Sequence, residues 1–250
     1  MIKKIAIVSL LFTSVAFSQD RGSKAGSIAD TRAPAPEVIA GGPSLLEEGF
    51  DDITNLPGWT FDNQSAAPNL DWFQGNTAVF NAQAGPADSY IGANFNSTGG
   101  SEICNWLIMP DLGELSTVDF WTRTTTGNTF PDRMFVVHSP TGGTNTGDCF
   151  TDFGDFTNSL VEINPTLAVS GYPDDWAQFT ANVNGEGRVA FVYFVADGGP
   201  VGTNSNFIGI DSVVASGPIV PPAPIPSLQW YGLIALMLVL LTLGYRRVKS

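Results

Sequence analysis

The sequence predicts an all-β domain, a jelly-roll β-sandwich preceded by a signal peptide and followed by one C-terminal transmembrane helix. Three observations carry this reading. Several runs alternate with a period of two while staying apolar on both faces: Val118, Phe120 and Thr122 alternate with Asp119, Trp121 and Arg123, and Met134, Val136 and His138 with Arg133, Phe135 and Val137. Turn dipeptides punctuate the runs at Gly99-Gly100, Gly142-Gly143, Asn184-Gly185 and Gly198-Gly199. Apolar residues at helical spacing are missing until the tail. Strands with two apolar faces suit the middle of a two-sheet stack, and about nine short strands at turn-separated spacing suit a jelly roll.

In chain order, residues 1–18 place Lys3 and Lys4 ahead of an apolar core from Ile5 to Val15, with small residues at the positions a signal peptidase reads; cleavage is expected after Ser18. Residues 19–43 are rich in Ala, Gly, Pro and Ser without apolar periodicity, and read as a flexible leader. The sandwich is expected over 44–216, enough chain to bury a full core. Its strand candidates are 58–61, 78–81, 90–94, 105–109, 118–123, 133–138, 178–183, 188–196 and 207–214. The connections 124–132 and 139–173 are expected to be long loops, where binding surfaces are commonly built on a rigid frame. Residues 217–226 hold five prolines in ten positions and form a stiff spacer.

Cys104 and Cys149 are the only cysteines. An even count in an exported chain points to one disulfide formed in the periplasm, with two unpaired buried thiols as the alternative.

The tail has three parts. Ile225, Pro226, Ser227 and Leu228 lead through Trp230 into an uncharged run from Tyr231 to Tyr245, and Arg246, Arg247 and Lys249 follow. The run is at the short end of the ~17 to 25 residues that span a bilayer, Trp230 and Tyr245 suit its two interfaces, and the basic end is expected to stay cytoplasmic. This arrangement resembles the IPTL-type C-terminal sorting signal of Gram-negative bacteria. Ser227 stands where that signal has Thr, and Gly232 comes one residue later than its Trp-Gly pair. The resemblance implies an exosortase-type processing enzyme that removes the helix, so that the inner membrane holds the chain only transiently. A permanent single-span anchor is the alternative.

Four stretches inside the domain also keep a recognisable order: Glu48-Gly49-Phe50-Asp51 with Leu56-Pro57-Gly58-Trp59, then Asn105-Trp106-Leu107-Ile108-Met109-Pro110, then 132–139, and last Phe207-Ile208-Gly209-Ile210-Asp211-Ser212-Val213. Together they resemble the choice-of-anchor J domain, a jelly-roll module related to MAM domains and found in cleaved adhesins. The resemblance implies a structural calcium ion near the junction of first and last strands, held by Asp51 and Asp211, with Glu48 as a third oxygen ligand. The alternative leaves Asp211 bonded to a loop and Asp51 solvated.

Charge limits the partners. Between residues 44 and 216 there are 21 acidic residues against Arg123, Arg133 and Arg188, a net charge of −18. Nucleic acid is excluded, because phosphate binding needs a basic footprint. His138 is the only histidine, sits on the Met134 and Val136 face of an alternating apolar run, and has no Gly-x-Ser-x-Gly elbow or metal motif beside it, which excludes zinc. Asp148, Asp152 and Asp155 lack calcium-loop spacing and read as a solvated loop. Trp72, Trp121 and Trp176 lie beside polar residues, where indoles stack on sugar rings or pack inward. The expected function is that of a non-catalytic surface or matrix protein binding glycan or protein, with an extracellular polysaccharide hydrolase as the alternative.

Overall fold

The computed structural model describes residues 42–220 and, in the tail, residues 234 and 237–240. The strands are β1 (Ser44–Glu48), β2 (Thr60–Asn63), β3 (Phe73–Gln74), β4 (Ile91–Asn94), β5 (Glu102–Ile108), β6 (Glu114–Thr124), β7 (Met134–Ser139), β8 (Asn158–Ile163), β9 (Ala177–Glu186), β10 (Arg188–Ala196) and β11 (Phe207–Ser216). They form two antiparallel sheets. The first runs β3-β4-β11-β6-β9, and β1 also pairs with β11; the second runs β2-β5-β10-β7-β8. The first and last strands therefore meet, with Ser44 opposite Ser216 and Glu48 opposite Val213. This is the expected all-β sandwich.

Alternation along the central strands fills the space between the sheets. Val118 and Phe120 of β6, Val136 of β7, Phe191 and Val195 of β10, and Ile208 and Ile210 of β11 share one buried cluster. Phe120 and Phe191 join the two sheets edge to face, with ring centroids 5.0 Å apart. The opposite faces are apolar because each sheet carries a second, outer layer. Outside the second sheet, Cys104, Trp106, Ile108, Val137, Ala190 and Val192 pack beneath the 140–157 connection, which reaches them through Phe156 and Cys149. Cys104 and Cys149 are disulfide-bonded in the structure, their Cα atoms 6.4 Å apart. Outside the first sheet, Phe80, Tyr90 and Phe207 form a smaller cluster.

Several local expectations change. The expected strand over 78–81 is absent and residues 77–79 form a turn, because the Asn76 carbonyl accepts the N–H groups of Val79 and Phe80 and its side chain accepts that of Ala78. The connection 139–173 contains an edge strand, β8, paired only with β7. Asn184-Gly185 lies within β9, and the chain reverses at Gly187 instead, where φ is +124° and a side chain would strike the Ser139 carbonyl and the His138 ring.

Residues 234 and 237–240 are helical and exposed. Among the described residues no helix is long and apolar enough to cross a membrane. The signal peptide, the leader up to residue 41, the sorting motif from Ile225 to Trp230, and most of the expected transmembrane run lie outside the described residues.

Candidate binding site

The three tryptophans singled out for stacking part ways. Trp72 is only 3% exposed and belongs to the central core, so it is not a platform for a ligand. The sequence around it is polar, but a loop next to a sheet turns its indole inward, which periodicity does not reveal. Trp121 and Trp176 are part-exposed. Trp121 projects from the outer face of β6, opposite Asp211 on one side and Gln178 of β9 on the other. Trp176 stands just ahead of β9, one rung beyond Gln178, and lies beside Arg123, whose guanidinium carbon is 6.0 Å from its ring centroid.

On the same face, Gln178, Thr180 and Asn182 alternate outward along β9 and are exposed. Thr180 donates to Asp119 across the ladder. The Gln178 and Asn182 amides and the Trp121 indole N–H are open to ligand. The result is a flat strip of indole and amide groups on a rigid sheet.

A second aromatic layer holds this strip in place. Trp176 meets Phe80 and Tyr90 edge to face, with centroids at 5.6 and 5.8 Å, and its Nε1 donates to the Asn81 carbonyl at 2.9 Å. Gly209 makes room for these rings, since a Cβ there would lie 2.9 Å from both Phe80 and Tyr90. Burial pushes the Tyr90 hydroxyl up to about 12, and it donates to the Asn76 carbonyl. Arg123 acts as a strut, pairing with Asp175 at 2.9 Å and donating to the Asp174 carbonyl at 2.6 Å. Arg133 and Arg188 are likewise engaged by the carbonyls of Phe194 and Gly142. All three described cations are therefore committed to holding loops, and the surface has none set aside for an anionic ligand.

The carboxylates expected to hold calcium are spread over other work. Asp211 is buried, and both oxygens are used: Oδ2 accepts from Gln83 N at 2.7 Å and Ala84 N at 3.1 Å, Oδ1 from Ser212 N at 2.5 Å and the Ser212 hydroxyl at 3.2 Å. Its pKa is raised by burial, opposed by those hydrogen bonds. Asp51 accepts from the Ser89 hydroxyl, and Glu48 from the Phe50 N–H at 2.7 Å. Asp211 has all four of its acceptor positions taken by N–H and O–H donors, whereas Asp51 and Glu48 each accept one, and among the described residues no three His, Cys, Asp or Glu side chains are grouped to hold a cation. Asp211, so bonded, does not fit as a calcium ligand.

His138 is 3% exposed; Nε2 lies 2.8 Å from the Glu186 carbonyl and Nδ1 3.4 Å from the Asn158 amide. Its partners are a main chain and an amide, which anchor it at the end of β7 and give it no nucleophile to activate. Sequence reasoning missed a different group, Asp132, which is fully buried in the connection between β6 and β7. Its only signal was the string of Thr124, Asn128 and Asp132 in a connection too polar for a core.

The chain matches no protein-family model and no curated protein. Among solved structures it is similar to the K1 cleaved adhesin domain of Lys-gingipain from Porphyromonas gingivalis, at 22% identity and a TM-score of 0.50 over 70% of this chain and 99% of that one. The K3 cleaved adhesin domain of the same protein matches at 20% identity and 0.48, over 70% and 98%. TmCBM61 in complex with β-1,4-galactotriose matches at 15% identity and 0.42, over 69% and 97%. The likeness to K1 is one of fold, the two-sheet antiparallel sandwich.

Proposed function

We propose that this chain is an exported, non-catalytic adhesion module that binds neutral glycans on the outer face of its first sheet. One observation carries the reading: Trp121 of β6 and Trp176, just ahead of β9, share one solvent-facing surface with the open amides of Gln178 and Asn182. A pyranose has apolar C–H faces and a polar rim, so indoles take the face while amides take the hydroxyls. The net charge of −18 over residues 44–216 repels acidic polysaccharides and leaves neutral ones as the ligand class. The fold shared with a cleaved adhesin domain supports an adhesive role.

Export and sorting belong to the same proposal. The apolar core behind Lys3 and Lys4 supports export, and Ile225, Pro226, Ser227, Leu228 and Trp230 ahead of an uncharged run and a basic end support recognition by an exosortase-type enzyme in the inner membrane, followed by release to the cell surface. The ordered stretches from Glu48 to Val213 support membership of the choice-of-anchor J group. A glycan array probed with the full chain and with Trp121→Ala tests the binding face. Capture of neutral glycans that the variant loses supports it, and undiminished capture by the variant refutes it.

A further inference from the structure

The end of the sandwich built by the β6–β7 and β10–β11 connections holds a carboxylate that the binding face does not use. Each oxygen of Asp132 accepts two hydrogen bonds: Oδ1 from the Tyr193 hydroxyl and the Asn206 N–H, both at 2.7 Å, and Oδ2 from the Thr124 hydroxyl at 2.6 Å and the Asn128 amide at 2.8 Å. Burial of a carboxyl group is costly unless its lone pairs are matched, and here all four are. Two of the donors lead to residues that line one cleft. The Asn128 side chain binds both main-chain polar groups of Phe130, donating to its carbonyl at 2.7 Å and accepting its N–H at 2.9 Å. The Phe130 ring is left 47% exposed. The Asn206 amide nitrogen is held by Thr125 Oγ1 at 3.0 Å and Asn128 Oδ1 at 2.8 Å, which leaves Asn206 Oδ1 open. The cleft, of 220 Å³, is lined by Phe95, Phe130, Pro200, Ser205, Asn206 and two glycines.

A phenylalanine presented to water on a fixed loop contributes little to folding, and a buried polar scaffold that fixes it there costs desolvation. The same arrangement favours a ligand, because the ordering is complete before binding. We infer that this cleft binds a single neutral sugar ring, stacked on Phe130 with one hydroxyl donating to Asn206 Oδ1. The size and the mixed lining suit one amphipathic ring. No charged side chain lines the cleft, and the acidic domain around it disfavours a uronic acid. The ligand class rests on the glycan-binding reading above, but the site is separate from the Trp121 face. Asp132 is a positioning residue here and touches no ligand.

The test uses the full chain and saturation-transfer NMR with the methyl glycosides of glucose, galactose, mannose and N-acetylglucosamine as probes. At least one probe is expected to receive saturation, with affinity weakened about tenfold or more by Phe130→Ala, the loss of one buried ring contact. Asn206→Ala is expected to weaken the same probe, and Val169→Ala, at an exposed position outside the cleft and the Trp121 face, to leave it unchanged. Because the Phe130 ring is exposed and its main-chain bonds do not depend on it, Phe130→Ala keeps the fold, which an unchanged melting temperature verifies. Absence of binding by all four probes overturns the cleft, as does equal binding by Phe130→Ala. Loss of probe binding in Trp121→Ala also overturns it and moves the sugar to the sheet face. If glycan capture on the array depends on Trp121 while no probe enters the cleft, the adhesion reading stands and this inference alone fails.

Discussion

Gln83 and Asp211 stand 128 positions apart and are joined by a 2.7 Å hydrogen bond from the Gln83 N–H to the Asp211 carboxylate. The bond depends on a bulge in β11, where the pairing with β6 slips between Asp211 and Val214 and Ser212 takes a φ of +50°. The bulge lets Ile210 and Val213 both face the core while Asp211 faces outward under the loop. Asp211 thereby ties the loop that carries Phe80 to the last strand, and so supports the ring layer beneath Trp176.

Asp211 is a clamp filled by N–H donors, so calcium is not expected to act through it. Melting temperatures of the full chain in chelator and in millimolar calcium are expected to coincide. Asp211→Ala leaves three part-buried N–H groups without their acceptor and is expected to cost about 1 to 3 kcal/mol in chemical denaturation. A rise in melting temperature with calcium that Asp211→Ala abolishes would contradict the clamp.

Asp132 gives stability a definite pH dependence. Burial raises its carboxyl above the ordinary range, so the native state holds that proton more tightly than the unfolded chain does. Its contribution is full below the unfolded value of about 3.9 and is lost as pH rises through the raised native value. Asp211 is shifted in the same direction. Urea midpoints are expected to fall from mildly acidic toward neutral pH. Asp132→Asn should lower stability by about 1 to 3 kcal/mol, because its amide faces donors with donors, and should flatten the pH slope. An unchanged slope in the variant would place the titrating group elsewhere.

The parts of the fold that could be read from the sequence are those where burial is symmetric. β10 and β11 are apolar on both faces because the sheets have outer as well as inner layers, and this made them plain. β8 was hidden because Asn158, Ser159 and Glu162 belong to an edge strand that leaves much of itself to solvent. β3 has two residues, too few for any period. Trp121 and Trp176 drew notice by their polar neighbours, and so did Trp72, which the loop before β3 turns into the core. Asp132 and the cleft it organises were not legible, since the four donors come from Thr124, Asn128, Tyr193 and Asn206 and are brought together only by the folded topology.

The Cys104–Cys149 bridge closes a loop of 45 residues and pins the 140–157 connection over the outer layer of the second sheet. Reduction is expected to lower stability by about 2 to 4 kcal/mol and to expose the Phe150 and Phe153 region to proteolysis before the central core. Thiol labelling of the denatured, unreduced protein should find no free cysteine. Two labels per chain would contradict the bridge.

The proposed processing of the tail has a direct readout in the native host. Mass spectrometry of the exported protein should find no peptide beyond the Ile225–Leu228 motif region that contains Arg246, and Pro226→Ala should leave unprocessed chain in the inner membrane. Recovery of an intact Arg246 peptide from the exported form would leave a permanent anchor in place of sorting.

Glycan binding by the outer face of the first sheet can be read by titration calorimetry of the full chain. The ligand is the neutral oligosaccharide captured most strongly on the array, added to wild type, Trp121→Ala and Gln178→Ala. The account predicts saturable binding that Trp121→Ala weakens about tenfold or more, with a smaller loss in Gln178→Ala, because an indole face buries more apolar area than one amide hydrogen bond replaces. Binding of equal strength in all three proteins would contradict it.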